Sequence, residues 1–318
     1  MCAAGGLTMM RARWPVTAVL TLGGMLVGAI AGAPARAEAE GPGPAPIGAA
    51  LDAVRAEAGF QAPSWRTMQD ARAVFRRLLT GEAEPRAAAL QPFGLVARPV
   101  RLGTGRAYAV SDPPAEVRGR GFYLLDQEAP GTSDVLLQAP HRFKDLDTGE
   151  IVAELVAGGG FRAAAWNTVP RWAPDDRSDR SSDVAHLDVS LFNAFTLAFA
   201  DAYPEGAVVQ IHGYARGHRD TPAGRRAEVI VSSGTRRLHG PARAVCRCLD
   251  SALDAVVLGY GESVLELGAT TNRNAAALRR IGFRRFVHVE MVRELRRRVL
   301  EEPDVQARLR RCLLEAAP

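Results

Sequence analysis

The 318-residue sequence has little of several features that define protein classes. Aromatic residues make up 6% and only four cysteines are present, which excludes a disulfide-built scaffold and disfavours a stacking platform for single-stranded nucleic acid. It has no P-loop, no Gly-x-Gly-x-x-Gly pattern that opens a helix and no Gly-x-Ser-x-Gly serine-hydrolase motif. Hydrophobic residues at 47% and charged residues at 24% are typical of a folded globular protein.

A strong charge of either sign is also absent. Lys144 is the only lysine, and every other basic side chain is an arginine. The formal net charge of +5 falls to +2 when residues 1–37, with three arginines and no acid, are set aside. Such a weak balance, with the arginines spread along helical stretches, predicts no nucleic-acid partner.

Residues 1–37 have the pattern of a secretory signal peptide. Arg11 and Arg13 precede an apolar run over residues 16–30, and the small-x-small triplet Ala35-Arg36-Ala37 follows it. The run is short for a membrane span and is broken by glycines, so we expect cleavage after this triplet rather than an uncleaved anchor. The pattern predicts a periplasmic or secreted protein with no stable membrane span after cleavage.

The rest of the chain divides by pattern into two parts. Residues 38–126 open with a Gly- and Pro-rich leader and continue with helices and short strands, which predicts a small N-terminal α+β appendage. Residues 127–318 alternate short apolar runs with longer helical stretches, which is typical of an α/β domain. We expect a three-layer α/β/α architecture there, with a central mixed, mostly parallel sheet. The predicted strands lie at residues 95–102, 107–110, 121–125, 135–139, 161–166, 207–211, 228–231, 264–267 and 284–289, and the predicted helices at 47–58, 67–79, 147–157, 183–202, 241–258, 275–281 and 291–300.

Polar side chains follow nearly every predicted strand of the α/β domain. In open α/β sheets, ligands bind outside the carboxyl ends of the strands, so we expect these side chains to converge. They are His141 after the strand at 135–139, Asn167 and Arg171 after 161–166, His212 after 207–211, Ser233 after 228–231, and Glu290 after 284–289. Five such strand ends predict one binding or catalytic site.

The residue types at these strand ends fit a hydrolytic zinc site. Such a site uses roughly three His, Asp or Glu ligands and leaves one position for water. His141, Asp145 and His212 meet that count, and His186 is an alternative third ligand. Glu290 is then a spare carboxylate that could take a proton from water and pass it to a leaving amine.

Four further residues are candidates for binding substrate. Asn167, Arg171 and the backbone at Ser233 could hold a substrate carboxylate or a developing oxyanion. Asn272 follows a predicted strand, where turn formation and substrate contact are both open interpretations. His288 is predicted to be a core or supporting residue rather than a ligand.

The order of a histidine, an acid, a second histidine and a late glutamate resembles that of a zinc-dependent amidohydrolase and carboxypeptidase superfamily with the phosphorylase/hydrolase-like α/β fold. The similarity covers roughly residues 134–300 and is greatest to N-formylglutamate amidohydrolases, through Ala139-Pro140-His141 and Phe286-Val-His-Val-Glu290-Met291. The resemblance implies that His141 and His212 bind zinc and that Glu290 is the catalytic carboxylate. In the carboxypeptidases the acid lies three residues after the first histidine, whereas Asp145 lies four after His141, so the third ligand stays open.

Together these observations predict a secreted zinc-dependent hydrolase of an amide or peptide bond, with one zinc ion per chain. Water activated by zinc would attack the carbonyl, with Glu290 as general base and then general acid. The expected substrate is a small peptide or an N-acyl amino acid, and export makes the cell wall a plausible source. Two alternatives stay open, a non-catalytic periplasmic binding protein on the same fold and a zinc esterase or phosphohydrolase.

Cys312 could form a disulfide with Cys246 or Cys248, or all three could be free thiols.

Overall fold

Ten strands form one sheet that runs through the residues the structure describes. The structure, a computed structural model, describes residues 44–57, 59–102, 105–126, 131–176, 178 and 180–317, so the predicted signal segment lies outside the described residues. The strands are β1 (Ala45–Pro46), β2 (Val96–Leu102), β3 (Gly105–Ser111), β4 (Phe122–Leu125), β5 (Ser133–Ala139), β6 (Phe161–Trp166), β7 (Ala207–Tyr214), β8 (Val229–Ser232), β9 (Val257–Gly259) and β10 (Phe286–Val292). Their order across the sheet is β1-β2-β3-β4-β6-β5-β7-β10-β8-β9.

Helices cover both faces of this sheet. They are α1 (Ile47–Asp52), α2 (Trp65–Leu79), α3 (Ala87–Leu90), α4 (Thr148–Ala157), α5 (Leu191–Ala202), α6 (Pro222–Arg226), α7 (Gly240–Ala252), α8 (Arg273–Arg280), α9 (Arg293–Glu301) and α10 (Pro303–Leu314). Apolar side chains of α2, α5 and α8 pack in one core cluster. Those of α1, α4, α7, α9 and α10 pack in another. Because each face of the sheet buries its own apolar layer, the predicted α/β class with a mixed, mostly parallel sheet is confirmed.

The four central strands run parallel to one another, and the strands that border them on each side, β4 and β8, run antiparallel to them. β5 pairs in parallel with both β6 and β7, and β10 pairs in parallel with β7. β8 runs antiparallel to β10, and β4 runs antiparallel to β6. Through the pairing of β4 with β6, the strands of the predicted N-terminal appendage extend the same sheet. The predicted boundary at residue 126 therefore falls between neighbouring strands of one sheet.

Several predicted elements differ from those observed, among them the helix expected over 47–58, which ends at Asp52. The helix expected over 183–202 begins only at Leu191, because Ser190 caps it by accepting a hydrogen bond from the Asn193 backbone N–H. The helix expected over 241–258 ends at Ala252, and β9 forms in its last predicted residues. The strand expected over 264–267 is absent, and Leu267 has a left-handed backbone (φ 61°), which is incompatible with a continuing strand.

A disulfide settles the pairing that the sequence left open. Cys248 on α7 and Cys312 on α10 are bonded, with their Cα atoms 5.4 Å apart, and Cys246 is a free thiol.

Among the described helices, none has both the length and the apolar character needed to cross a bilayer.

Candidate metal centre

A cleft of about 850 Å³ opens at the carboxyl ends of the parallel central strands. Its walls come from the loop after β5, from the end of β7 and the loop beyond it, from residues 267–272, and from β10 and α9. The predicted residues His141, Asp145, His212 and Glu290 all line it. The cleft is where parallel α/β sheets place their ligands, because loops diverge from the sheet at these strand ends.

One face of the central strands changes from apolar to polar toward the cleft. Alternate residues of a strand point to the same face, so Val208, Gln210 and His212 of β7 share a face. In the neighbouring strand, His288 pairs with Gln210 and Glu290 pairs with His212. Val208, near the start of β7, packs in the core. His212 and Glu290, nearer the carboxyl ends of their strands, present an imidazole and a carboxyl group to the cleft. Strand periodicity thus places both groups side by side on a rigid element.

The first predicted ligand set converges on a single oxygen atom. His212 Nδ1 lies 3.2 Å from Asp145 Oδ2, and His141 Nδ1 lies 3.6 Å from the same atom. His141, Asp145 and His212, which we call the His-Asp-His cluster, are all at least nine-tenths buried. Zinc bonds to His nitrogen and carboxylate oxygen are about 2.0–2.2 Å long, so a tetrahedral ion holds its ligand atoms about 3.3–3.6 Å apart. The observed separations match that spacing.

The hydrogen-bond partners of His212 fit a residue that binds a cation. Its Nδ1 faces a carboxylate oxygen, and its Nε2 faces Gln210 Oε1 at 3.4 Å, so both ring nitrogens face acceptors. A neutral imidazole carries one N–H and can satisfy only one of them. Burial, together with the charge of nearby His141, lowers the pKa of His212 despite the carboxylate, which disfavours the doubly protonated ring. Binding of a divalent cation by Nδ1 and Asp145 would resolve the mismatch, and the donor set of imidazole and carboxylate suits zinc.

A second carboxylate, that of Asp183, fixes the ring orientation of His141. His141 Nε2 donates to Asp183 Oδ1 at 2.8 Å, which leaves Nδ1 turned toward Asp145. A carboxylate behind a metal-binding histidine fixes the ring orientation and raises the basicity of the free nitrogen. Burial works against protonation of His141, but the hydrogen bonds with Asp145 and Asp183 outweigh it and raise its pKa. This histidine therefore lies between two carboxylates, with the Arg171 guanidinium 3.4 Å from its Nδ1.

The alternative ligand His186 belongs to a different arrangement. Its Nδ1 lies 3.0 Å from Asp183 Oδ1, and Arg171 donates to the other oxygen of that carboxylate. Burial opposes ionisation of Asp183, yet hydrogen bonds from His141 and His186 keep its pKa well below the usual range. The Asp183 oxygens are contacted by proton donors of His141, His186 and Arg171, so the arrangement around Asp183 requires no ion. The geometry favours Asp145 over His186 as the third ligand.

Two buried polar atoms beside the cluster have no partner in the described part of the chain. They are His288 Nδ1 and Glu290 Oε2, and the other polar atoms of these side chains, His288 Nε2 and Glu290 Oε1, lie 3.7 Å apart. Burial, reinforced by the charge of Asp145, raises the pKa of Glu290 to about 8. Burial also lowers the pKa of His288 well below its usual value. An unpaired buried carboxyl group is costly, and its place in the cleft makes Glu290 a candidate functional residue.

The structure places two predicted substrate residues away from the cleft. Ser233 follows β8, which runs antiparallel to β10, so it lies at the end of these strands that is farther from the cleft. Its hydroxyl is hydrogen-bonded to the backbone of His239. Asn167 is 1% exposed and donates to the Ser182 carbonyl, which makes it part of the packing of a loop. Neither residue lines the cavity.

The other two predicted substrate residues do line the cleft, in more specific roles than expected. Arg171 is tied to Asp183 by the ion pair described above. Asn272 caps α8 by accepting from the Ala275 backbone N–H at 3.0 Å, and its amide donates to Gln210 Oε1 at 2.8 Å. Turn formation and a place at the site, the two interpretations left open for Asn272, therefore both hold.

Sequence reasoning missed several residues of the site. Asp183, Gln210 and Arg296 had no assigned role, although each lies next to the cluster or in the cleft wall. Arg296 is 5% exposed and donates to the carbonyl oxygens of Leu146 and Met291. For Gln210 a signal was present, because a glutamine two residues before His212 in an apolar strand must lie on the same face. Asp183 lies in an irregular segment, where no periodicity points to it.

Comparisons with known proteins give no family assignment. No protein-family model and no curated protein matches the sequence. Among solved structures, similarity is found to a metallo-carboxypeptidase from Burkholderia cenocepacia, with 15% identity, a TM-score of 0.32, and coverage of 81% of this chain and 69% of that one. A succinylglutamate desuccinalase from Vibrio parahaemolyticus has 12% identity, a TM-score of 0.33 and coverage of 69% and 66%. An esterase from Pseudomonas putida has 11% identity, a TM-score of 0.26 and coverage of 78% and 96%. These values are too low to carry function over to this chain.

Proposed function

We propose that this protein is a zinc-dependent hydrolase of an amide or peptide bond. The observation that carries the proposal is the His-Asp-His cluster at the floor of the cleft, where two ring nitrogens converge on one carboxylate oxygen and His212 lacks a proton for one of its acceptors. His141, Asp145 and His212 would hold the ion. When bound, zinc supplies a Lewis acid and activates water at neutral pH.

The role that we assign to Glu290 is to move protons. It is buried, lines the cleft, and lies on β10 directly beside His212 of β7. Its unbonded Oε2 is free to accept a proton from water and return it to a leaving amine. A neighbouring cation lowers a carboxyl pKa, so binding of zinc would bring the raised pKa of Glu290 toward neutrality, where a general base and acid works best.

The substrate that fits this cleft carries negative charge. Six basic side chains line it, against the acidic Asp145, Glu290 and Glu294: they are Lys144, Arg171, Arg216, Arg219, Arg293 and Arg296. Arg171, Arg216 and Arg219 are ion-paired with Asp183, Glu228 and Glu266, so Lys144 and Arg293 are the side chains that we expect to meet a substrate carboxylate. Arginine is well suited to bind a carboxylate through paired hydrogen bonds. A small peptide or an N-acyl amino acid offers both an amide and a carboxylate, which supports the proposed substrate class.

We also propose that the protein acts outside the cytoplasm, in the periplasm or as a secreted protein. The disulfide between Cys248 and Cys312 supports this, because disulfides persist in oxidising compartments. The signal-like pattern of residues 1–37 points the same way. Peptides released from a cell wall would then be available as substrates.

Elemental analysis of the purified protein tests the metal proposal. We expect about one zinc per chain in the wild type, and loss of that zinc in His141→Ala and in His212→Ala. His239→Ala is the matched control. His239 lies beside Ser233, away from the cleft, so this variant should leave the zinc content unchanged. Absence of zinc from the wild type after loading and gel filtration would contradict the proposal.

Turnover assays then test the reaction. A panel of N-acyl amino acids and dipeptides should be hydrolysed by the zinc-loaded wild type, whereas Glu290→Gln should retain zinc and lose at least about 100-fold in kcat. Hydrolysis of activated esters or phosphates without amides would favour an esterase or phosphohydrolase. Ligand binding without any turnover would favour a binding protein.

A further inference from the structure

Four buried carboxamides form a continuous layer directly beneath the His-Asp-His cluster. We call Gln138, Gln210, Asn272 and Asn274 the amide layer, and none is more than 3% exposed. Gln138 and Gln210 face each other across β5 and β7, and the two asparagines lie at the start of α8. A buried amide is costly unless its hydrogen bonds are made, and the bonds made within this layer fix the orientation of its members.

Hydrogen bonds give Gln210 one orientation. Its Nε2 donates to Gln138 Oε1 at 3.0 Å and to Asn274 Oδ1 at 2.9 Å, which uses both of its hydrogens. Asn274 in turn donates to the Val184 carbonyl, and Gln138 donates to Thr196 Oγ1 at 2.9 Å. A flipped Gln210 would set oxygen against oxygen at two contacts. Its Oε1 is therefore fixed on the side that faces the cluster.

That oxygen has two neighbours, one of them a ring of the cluster. Asn272 Nδ2 donates to Gln210 Oε1 at 2.8 Å, and His212 Nε2 lies 3.4 Å from the same atom. A carboxamide oxygen can only accept, so it keeps the proton of His212 on Nε2 and leaves Nδ1 free to bind a cation. Partners of this kind fix both the tautomer and the orientation of a metal-binding histidine.

We infer that Gln210 is a positioning residue for His212, held in place by Asn272, and that the amide layer presets the site for zinc. The inference rests on the proposed function, because it concerns the ion that His212 would bind. His141 receives the same support from a carboxylate, Asp183, whereas His212 receives it from a neutral amide. The neutral partner avoids placing another negative charge beside Asp145 and Glu290.

The test compares two substitutions of Gln210 of similar size. Zinc affinity is measured at neutral pH by competition with a chromogenic chelator. Gln210→Met keeps the volume and removes the acceptor, so we expect zinc to bind at least about 10-fold more weakly. Gln210→Glu, as a neutral carboxylic acid, keeps an oxygen that accepts from His212, and the proton on its other oxygen can be donated to Gln138 Oε1 or to Asn274 Oδ1. We expect Gln210→Glu to bind zinc within about threefold of the wild type.

Two further variants keep the test valid if a Gln210 variant fails to fold. Asn272→Ser retains an oxygen to cap α8 and loses the amide that holds Gln210, so zinc should bind several-fold more weakly. Thr196→Val is the matched control: it breaks the layer at its far end, at Gln138, and leaves the bonds of Gln210 intact. It should lower stability to unfolding and leave zinc affinity unchanged.

The outcomes separate this inference from the proposed function. A wild type that binds zinc, with Gln210→Met equal to it, overturns the positioning role and leaves the proposed hydrolase intact. Equal losses in Gln210→Met, Gln210→Glu and Thr196→Val would show that only packing matters, and they would also overturn it. A wild type that binds no zinc overturns both. The Co(II) absorption spectrum of the loaded protein provides a second readout, which should change in Gln210→Met and not in Thr196→Val.

Discussion

At the scale of single residues, the carboxyl group of Glu290 makes the most specific prediction about pH. Its pKa is raised from 4.5 in a free side chain to about 8 in the fold, mainly by burial. The folded metal-free protein then binds one more proton than the unfolded chain between these values, so stability falls as the pH rises from about 4.5 to 8 and levels off above. We expect the decline to be on the order of a few kcal/mol and to be absent in Glu290→Gln. Urea unfolding of both metal-free proteins at several pH values measures it, and parallel curves would contradict the assignment.

The same scale shows which site residues a sequence can reveal. His141 follows the apolar strand β5, and His212 lies near the end of the apolar strand β7, so their polarity is conspicuous and their place at the carboxyl ends of the strands follows from topology. Asp183 lies in irregular chain, and only the folded structure brings it to His141. Ser233 was misplaced because a strand's residues do not encode whether it runs parallel or antiparallel to its neighbour. Local pattern therefore identifies polar strand ends, whereas strand direction decides which of them meet.

At the scale of elements, the disulfide between α7 and α10 predicts a stability difference between two cysteine variants. It closes a loop of 64 residues, and the loss of chain entropy in the unfolded state corresponds to about 4 kcal/mol. We expect Cys312→Ser to lose up to about that amount in free energy of unfolding. Cys246→Ser is the control, since Cys246 lies on the same helix α7 and forms no disulfide. Equal stability of the two variants in denaturant titrations would show that the bond contributes nothing.

Element boundaries could be predicted where the hydrophobic periodicity is strong, but not where side chains form hydrogen bonds with residues outside the element. The predicted strands at 135–139 and 161–166 agree with β5 and β6, because both are apolar runs between turn residues. The segment 183–190 has helical spacing, yet Asp183 bonds to His141 and Arg171 and Ser190 caps the following helix, so it is not helical. Helical spacing extends into this segment, but its polar groups are used in building the site.

At the scale of the whole molecule, a bound zinc ion would join the loop after β5 to β7 and thereby contribute to stability. An ion that binds only the folded state adds RT ln(1 + [Zn]/Kd), about 2.7 kcal/mol at a hundredfold excess over Kd. We expect chelation to lower the melting temperature of the wild type and to leave that of Asp145→Asn unchanged. The substitution also removes a carboxylate whose pKa, despite burial, is held well below its usual range by hydrogen bonds from His141 and His212, so metal-free Asp145→Asn should be less stable than the metal-free wild type. Thermal unfolding with and without chelator measures all four states. A wild type that chelation does not affect would mean that the two histidines and the carboxylate are held by their own hydrogen bonds and that the cluster needs no ion.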